Sequence, residues 1–145
     1  MKKIALYDRY QSDNSEMLEL HRKTIEGIKE GIANDGNKLV GEFHDKCSEH
    51  VHLDERPEYS RLYDLCNTSE VDEIYVITIS RLSRDLRLIA QMCREMHDMG
   101  IKVNFIKEKI TGEELLNSRL AKYLDESIEQ EMGMWFGCLP NMNLL

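Results

Sequence analysis

Short apolar runs alternate with amphipathic stretches along this chain. Residues 3–9 form an apolar run with little polar alternation, which is typical of a parallel strand covered on both faces. Residues 15–33 then place apolar side chains at helical spacing, and the turn residues at 34–37 end that stretch. The pattern predicts a strand followed by a helix.

The same alternation continues through the middle of the chain. Residues 39–43 predict a second strand, and Pro57 opens a helix over 58–66 after a polar loop at 44–55. Residues 73–79 are rich in β-branched side chains and predict a strand at the centre of a sheet.

Two further helices complete the pattern. Apolar residues repeat every three or four positions over residues 82–99 up to Gly100, which suits a helix C-terminus. Residues 101–106 predict another strand, and residues 112–132 predict a last long helix. The first of these helices carries four side chains that we expect in the core: Met92, Cys93, Met96 and Met99.

Strands that alternate with helices predict an α/β domain with an open, mostly parallel sheet flanked by helices and a long C-terminal helix. Such a sheet holds its functional site at the carboxyl ends of the strands. We expect one domain over residues 1–132, followed by an apolar tail at 133–145 that has no basic residue to contact DNA. No separate DNA-binding domain is therefore expected.

The composition narrows the possible functions. The chain has 145 residues, and 19 Lys and Arg against 27 Asp and Glu give a net charge of -8. This charge excludes a self-sufficient nucleic-acid binder, so DNA contact must come from a local basic cluster and is expected to be weak for this chain alone. The cysteines form no CxxC pair, and no apolar run reaches the length of a membrane span. A reduced, cytoplasmic protein without membrane contact is expected.

Four arginines stand where the predicted strands end. Arg9 closes the first strand, and Arg56 opens the helix after the second. Arg81 and Arg84 follow the third strand, three residues apart on the predicted helix and near its positive N-terminal end. In a parallel sheet these positions meet at one edge. Solvated cations and a phosphate site both fit this spacing.

Three segments resemble known motifs. Residues 4–14 read IALYDRYQSDN, residues 56–59 read RPEY and residues 80–85 read SRLSRD. In this order they resemble the motifs of the serine recombinases, the resolvase/invertase family, and the similarity extends over residues 3–131. The resemblance implies a resolvase-like catalytic domain that cuts DNA through a 5′-phosphoserine link and exchanges strands in a tetramer, without metal or nucleotide.

The resemblance also implies roles for single residues and for the last helix. Arg9, Arg56, Arg81 and Arg84 would hold the scissile phosphate of the DNA. The last helix would associate with other recombinase subunits, as in a homo-oligomer.

The nucleophile position departs from the family pattern. The family has serine two residues after the strand-end arginine, and this chain has Gln11. A glutamine amide binds phosphate but cannot form a phosphoester, and loss of a nucleophile costs about 10⁶ in rate. Ser12 follows, but on an extended backbone it points away from the side of Arg9 unless a loop relaxes the alternation. Ser80 stands where the family usually has an aspartate, directly before Arg81.

Two functions therefore stay open, and with them whether the chain is an enzyme. One is a site-specific DNA recombinase domain that cuts through Ser12. The other is a catalytically degenerate domain that acts by oligomerisation with recombinase subunits. No glycine-rich loop follows the first strand, which disfavours a nucleotide-binding protein.

Four potential metal ligands cluster in one loop: His44, Cys47, His50 and His52. Their spacing matches no ordinary zinc module, and a solvated polar loop explains them equally well. The sequence therefore predicts no metal site and no cofactor.

Overall fold

A five-stranded sheet forms the centre of the protein in a computed structural model that describes residues 1–11 and 14–118. The spatial order is β2-β1-β3-β4-β5, and β5 alone is antiparallel, against β4. This arrangement confirms the predicted α/β domain with an open, mostly parallel sheet. The strands are β1 (Lys3–Tyr10), β2 (Lys38–Lys46), β3 (Glu73–Val76), β4 (Lys102–Phe105) and β5 (Ile110–Thr111).

The described residues also form five helices and one 3₁₀ turn, of which all but the last helix connect strands. The turn covers Leu53–Glu55. The helices are α1 (Ser15–Asn34), α2 (Pro57–Cys66), α3 (Ile79–Leu82), α4 (Leu86–Asp98) and α5 (Gly112–Asn117). None of the helices in the described ranges combines the length and apolarity needed to cross a lipid bilayer.

Capping explains where the main helices begin. The Asn14 side chain accepts hydrogen bonds from the first turn of α1, and the Asp85 side chain accepts one from the Arg87 N–H at the start of α4. Helix α2 is capped from a distance, because the buried Asp45 carboxylate of β2 accepts from the N–H groups of Glu58 and Tyr59, each over 2.9 Å. The end of β2 and the start of α2 are therefore held together.

Strand β1 separates two apolar layers. Tyr7 faces a main core that also contains Leu62 of α2 and Met92 of α4. The neighbouring Leu6 faces the other way and packs with Ile25 of α1. The side chains that we expected in the core lie there: Met92, Cys93 and Met96 are buried and Met99 packs against them partly buried.

The predicted helix over residues 82–99 is wrong at its start. Helix α3 ends at Leu82, and α4 begins at Leu86. Between them Ser83 has an extended backbone, and its buried hydroxyl donates to the Glu49 carbonyl over 2.7 Å and accepts from the Asp85 N–H over 2.8 Å. The break places Arg84 outside any helix.

Two strand boundaries also differ from the predictions. Strand β3 ends at Val76, before the predicted end at residue 79, because Ile79 already begins α3. Strand β2 continues to Lys46, beyond the predicted end at residue 43, because it stays paired with β1 up to Tyr10.

The last predicted helix begins as expected at Gly112, and its described part is short. Helix α5 ends at Asn117, and Ser118 has extended angles, with its hydroxyl donating to the Leu115 carbonyl over 2.7 Å. The predicted long helix beyond this point and the tail at 133–145 lie outside the described residues.

Candidate functional site

A cleft of about 390 Å³ opens at the carboxyl ends of β1 and β3. The chain leaves β1 towards β2 on one side and leaves β3 towards β4 on the other, so the two strands flank the topological switch point of the sheet. Four of the six predicted site residues line this cleft: Arg9, Gln11, Arg81 and Arg84. The expected convergence of distant arginines is thus present for three of them.

Arg9 is held rigidly at the cleft wall. Its side chain is nearly buried, and its Nε donates to the Arg81 carbonyl over 2.8 Å. Nη1 donates to the Cys47 carbonyl over 3.0 Å, and Nη2 donates to the Ser80 carbonyl over 3.2 Å. Arg9 therefore ties the end of β1 to the segment after β2 and to helix α3.

Arg81 and Arg84 are the accessible cations of the cleft. Within the described part of the chain, the Arg81 guanidinium makes no hydrogen bond to protein. The Arg84 side chain is 77% exposed, and its Nε lies 3.8 Å from a Glu49 carboxylate oxygen. Both guanidinium groups can therefore turn towards an anion that enters the cleft.

Arg56 lies below the cleft rather than in it. Its side chain is completely buried, and its Nε and Nη2 donate to the carbonyls of Val51 and Glu49 over 3.0 and 3.2 Å. Its Nη1 donates to the Leu82 carbonyl over 2.9 Å and to the Tyr7 hydroxyl over 3.4 Å. The structure uses Arg56 to position the segments that carry the other arginines, and does not bring it to the cleft surface.

One of the two predicted nucleophile positions, Gln11, lines the same cleft. Gln11 is exposed there, with Ser80 on the opposite segment. Ser12 lies outside the described residues.

A second polar cluster was missed by the sequence analysis. Asp8 of β1 is completely buried, and one of its carboxylate oxygens is hydrogen-bonded to Nε2 of the buried His21 on α1. His44 of β2 places Nδ1 3.5 Å from the same oxygen. The available signal was an acidic residue at the end of the apolar run 4–7, with a histidine on the inward side of the next helix.

This second cluster is electrostatically coupled. Burial alone would raise the pKa of Asp8, but hydrogen bonds from His21 and His44 and the charge of Arg81 lower that pKa below its usual value. The hydrogen bond to Asp8 raises the pKa of His44. Of the loop side chains that the sequence analysis grouped, His44 belongs to this cluster, and Cys47, His50 and His52 do not.

The family follows from the match of the chain to known proteins. Residues 4–130 match the model described as the resolvase N-terminal domain. The chain belongs to this family. The predicted resemblance to the resolvase group is therefore confirmed. No match was found among curated proteins.

Solved structures show that this resolvase-family domain has the fold of serine recombinase catalytic domains. The N-terminal catalytic domain of TP901-1 integrase matches with 22% identity and a TM-score of 0.69, over 92% of this chain and 98% of that one. A resolvase family site-specific recombinase from Streptococcus pneumoniae matches with 17% identity and a TM-score of 0.68, over 91% and 89%. The catalytic domain of ISC1926 TnpA, an IS607-like serine recombinase, matches with 18% identity and a TM-score of 0.61, over 90% and 99%.

Proposed function

We propose that this resolvase-family domain binds a DNA backbone phosphate in the cleft between β1 and β3 without forming a phosphoserine link at position 11. The observation that carries the proposal is the convergence of Arg9, Arg81 and Arg84 around Gln11 in one cleft. The similar solved structures include the catalytic domain of an integrase and a site-specific recombinase, and proteins with these names act on DNA.

The arginines suit a phosphate because a guanidinium group presents planar N–H donors that match two phosphate oxygens. Arg9 is fixed by its bonds to backbone carbonyls, so it contributes a preorganised charge. Arg81 and Arg84 supply the donors that reach the ligand. The net charge of -8 opposes DNA elsewhere on the surface, so binding by this chain alone is weak and depends on this cleft.

Gln11 decides the chemistry. Its amide can donate to a phosphate oxygen, but it holds no hydroxyl that could attack phosphorus. Removal of a nucleophile reduces the rate by about 10⁶, whereas removal of one stabilising donor costs about 10²–10³. The arginines therefore cannot compensate for this residue, and DNA cleavage would need another nucleophile. Ser12 stays the predicted candidate for that role.

Salt-dependent DNA binding tests the proposal. A fluorescently labelled short duplex would be titrated at several salt concentrations with the wild type and with Arg81→Ala and Arg84→Ala. We expect each substitution to reduce the slope of log K against log salt by about 0.9, which is the value for one lost phosphate contact on duplex DNA.

Arg61→Ala is the matched control. Arg61 is an exposed arginine that pairs with Glu58 on α2 and does not line the cleft. Its removal changes the net charge by the same amount and should leave the slope at the wild-type value. Equal slopes for Arg81→Ala and Arg61→Ala would refute phosphate binding at the cleft.

Association with other recombinase subunits stays a prediction from the sequence. It depends on the last predicted helix, whose residues from 119 onward lie outside the described part of the chain. Sedimentation of the purified protein with and without a recombinase of the same family would measure it.

A further inference from the structure

Asp8, His21 and His44 bring three potential metal ligands together where β1, β2 and α1 meet. One ligand atom from each residue lies within 4.8 Å of the others. The residues come from three separate elements, so the cluster is a product of the fold. Asp8 and His21 are buried, and the His44 side chain is 30% exposed, which leaves an entry route from solvent.

The cluster has unused ligand capacity. Within the described residues, Asp8 Oδ1 and His21 Nδ1 are both buried and have no hydrogen-bond partner. A buried polar atom without a partner destabilises the folded state, so native proteins seldom retain one without a reason. Asp8 therefore keeps one carboxylate oxygen available to a cation, while His21 Nδ1 lies on the edge of the ring away from Asp8.

We propose that Asp8, His21 and His44 bind a divalent transition-metal ion of the zinc class. Two imidazoles and one carboxylate form the ligand set of open zinc sites, in which water occupies the remaining position. Imidazole nitrogen selects such ions over magnesium and calcium, which prefer oxygen ligands. On binding, the ion replaces the proton that joins His21 to Asp8.

The spacing at His44 already fits an ion. Two ligand atoms that each lie about 2.1 Å from a tetrahedral ion are about 3.4 Å apart. His44 Nδ1 and Asp8 Oδ2 are separated by 3.5 Å. His21 Nε2 is closer to the same oxygen, so a small rotation of its ring opens the coordination position.

A supporting carboxylate completes the arrangement. His44 Nε2 lies 3.3 Å from Glu42 Oε1, and Glu42 Oε2 pairs with Lys29 over 2.9 Å. Histidines that ligate a metal commonly donate their other ring N–H to a carboxylate, which fixes the tautomer and the ring orientation. Glu42 supplies this contact and leaves Nδ1 of His44 for the ion.

Metal titration of the wild-type chain, prepared without a polyhistidine tag and freed of metal by a chelator, tests the proposal. Co²⁺ would be added while visible absorption is recorded, and Zn²⁺ would then displace it in competition. We expect one ion per chain, absorption bands of a low-coordinate nitrogen- and oxygen-ligated Co²⁺, and a higher melting temperature with Zn²⁺. If the chain binds neither ion, the proposal is overturned, and the three side chains form only a hydrogen-bonded cluster.

Three variants assign the ligands. Glu42→Gln should weaken Zn²⁺ binding by about 10–100-fold, as expected for a supporting carboxylate, and His44→Gln should weaken it further. His50→Gln is the control, because that loop side chain is 73% exposed and lies outside the cluster. Circular dichroism would establish that each variant is folded. Binding that survives His44→Gln at wild-type affinity, or that falls equally in His50→Gln, would place the ion elsewhere and refute this site.

Discussion

Arg56 Nη1 donates a hydrogen bond of 2.9 Å to the carbonyl oxygen of Leu82. This contact joins the start of α2 to the end of α3, two segments that are far apart in sequence. The guanidinium is completely buried, so its bonds are shielded from competing water. Arg56 thereby fixes the backbone on which Arg81 and Arg84 are carried.

Arg56→Lys should destabilise the fold. A lysine cannot reproduce the planar set of donors, so the carbonyls of Val51 and Leu82 cannot both keep a hydrogen-bond donor. At about 1–3 kcal/mol for each unsatisfied group, we expect a loss of about 3 kcal/mol in the free energy of unfolding. Urea denaturation measures it, with the exposed Arg61→Lys as a control that should stay within about 0.5 kcal/mol. Equal loss in both variants would contradict the role of Arg56.

Two glycine-to-alanine substitutions should have effects of opposite sign. Gly100 ends α4 with φ at +74°, a left-handed conformation that costs an alanine about 1–2 kcal/mol. Gly31 is exposed in the last turn of α1, and an added Cβ there meets nothing within 4 Å. Gly31→Ala should therefore stabilise the protein by about 0.5–1 kcal/mol. Thermal unfolding of both variants checks the prediction, and a stabilised Gly100→Ala would disprove it.

Covalent protein–DNA adducts should be absent in the wild type. After incubation with supercoiled plasmid and denaturation, we expect the wild type and Ser12→Ala to give the same background of protein-linked DNA. Gln11→Ser restores a hydroxyl beside Arg9 and Arg81 and should produce an adduct above that background. An adduct in the wild type that disappears in Ser12→Ala would show instead that Ser12 is the nucleophile.

Acid should weaken the protein partly through Glu73. Burial alone would raise the pKa of this carboxyl above 4.5, but hydrogen bonds from Lys2 and Asn104 lower the pKa below that value. A lowered folded-state pKa means that the stabilisation is present above pH 4.5 and is lost as the pH falls through the folded-state pKa.

Glu73→Gln removes this titration. The stability difference between wild type and Glu73→Gln should therefore be largest near neutral pH and shrink in acid, as measured by urea denaturation across pH. Glu70→Gln is the control, because Glu70 is an exposed partner of Lys3 on the surface. A difference that does not change with pH would contradict the assignment to Glu73.

Local patterns predicted most of the elements. Pro57 at the start of α2 and Gly100 after α4 act within one helical turn, so their effect is visible in the sequence. The break at Ser83 was not visible in this way. It depends on the hydrogen bond from the Ser83 hydroxyl to the Glu49 carbonyl, and these two residues are 34 positions apart in the sequence. Only the folded chain brings them into contact.

The sequence by itself determined the alternation of strands with helices, the family motifs, and the absence of a serine at position 11. Only the tertiary structure decided that Arg81 and Arg84 face the cleft. It decided as well that the Arg56 guanidinium is buried and donates to backbone carbonyls instead. It also decided that Asp8 meets two histidines from other elements. The physical reason is that hydrogen-bond partners and burial are set by segments distant in sequence, whereas helices and strands follow from periodicity and capping nearby.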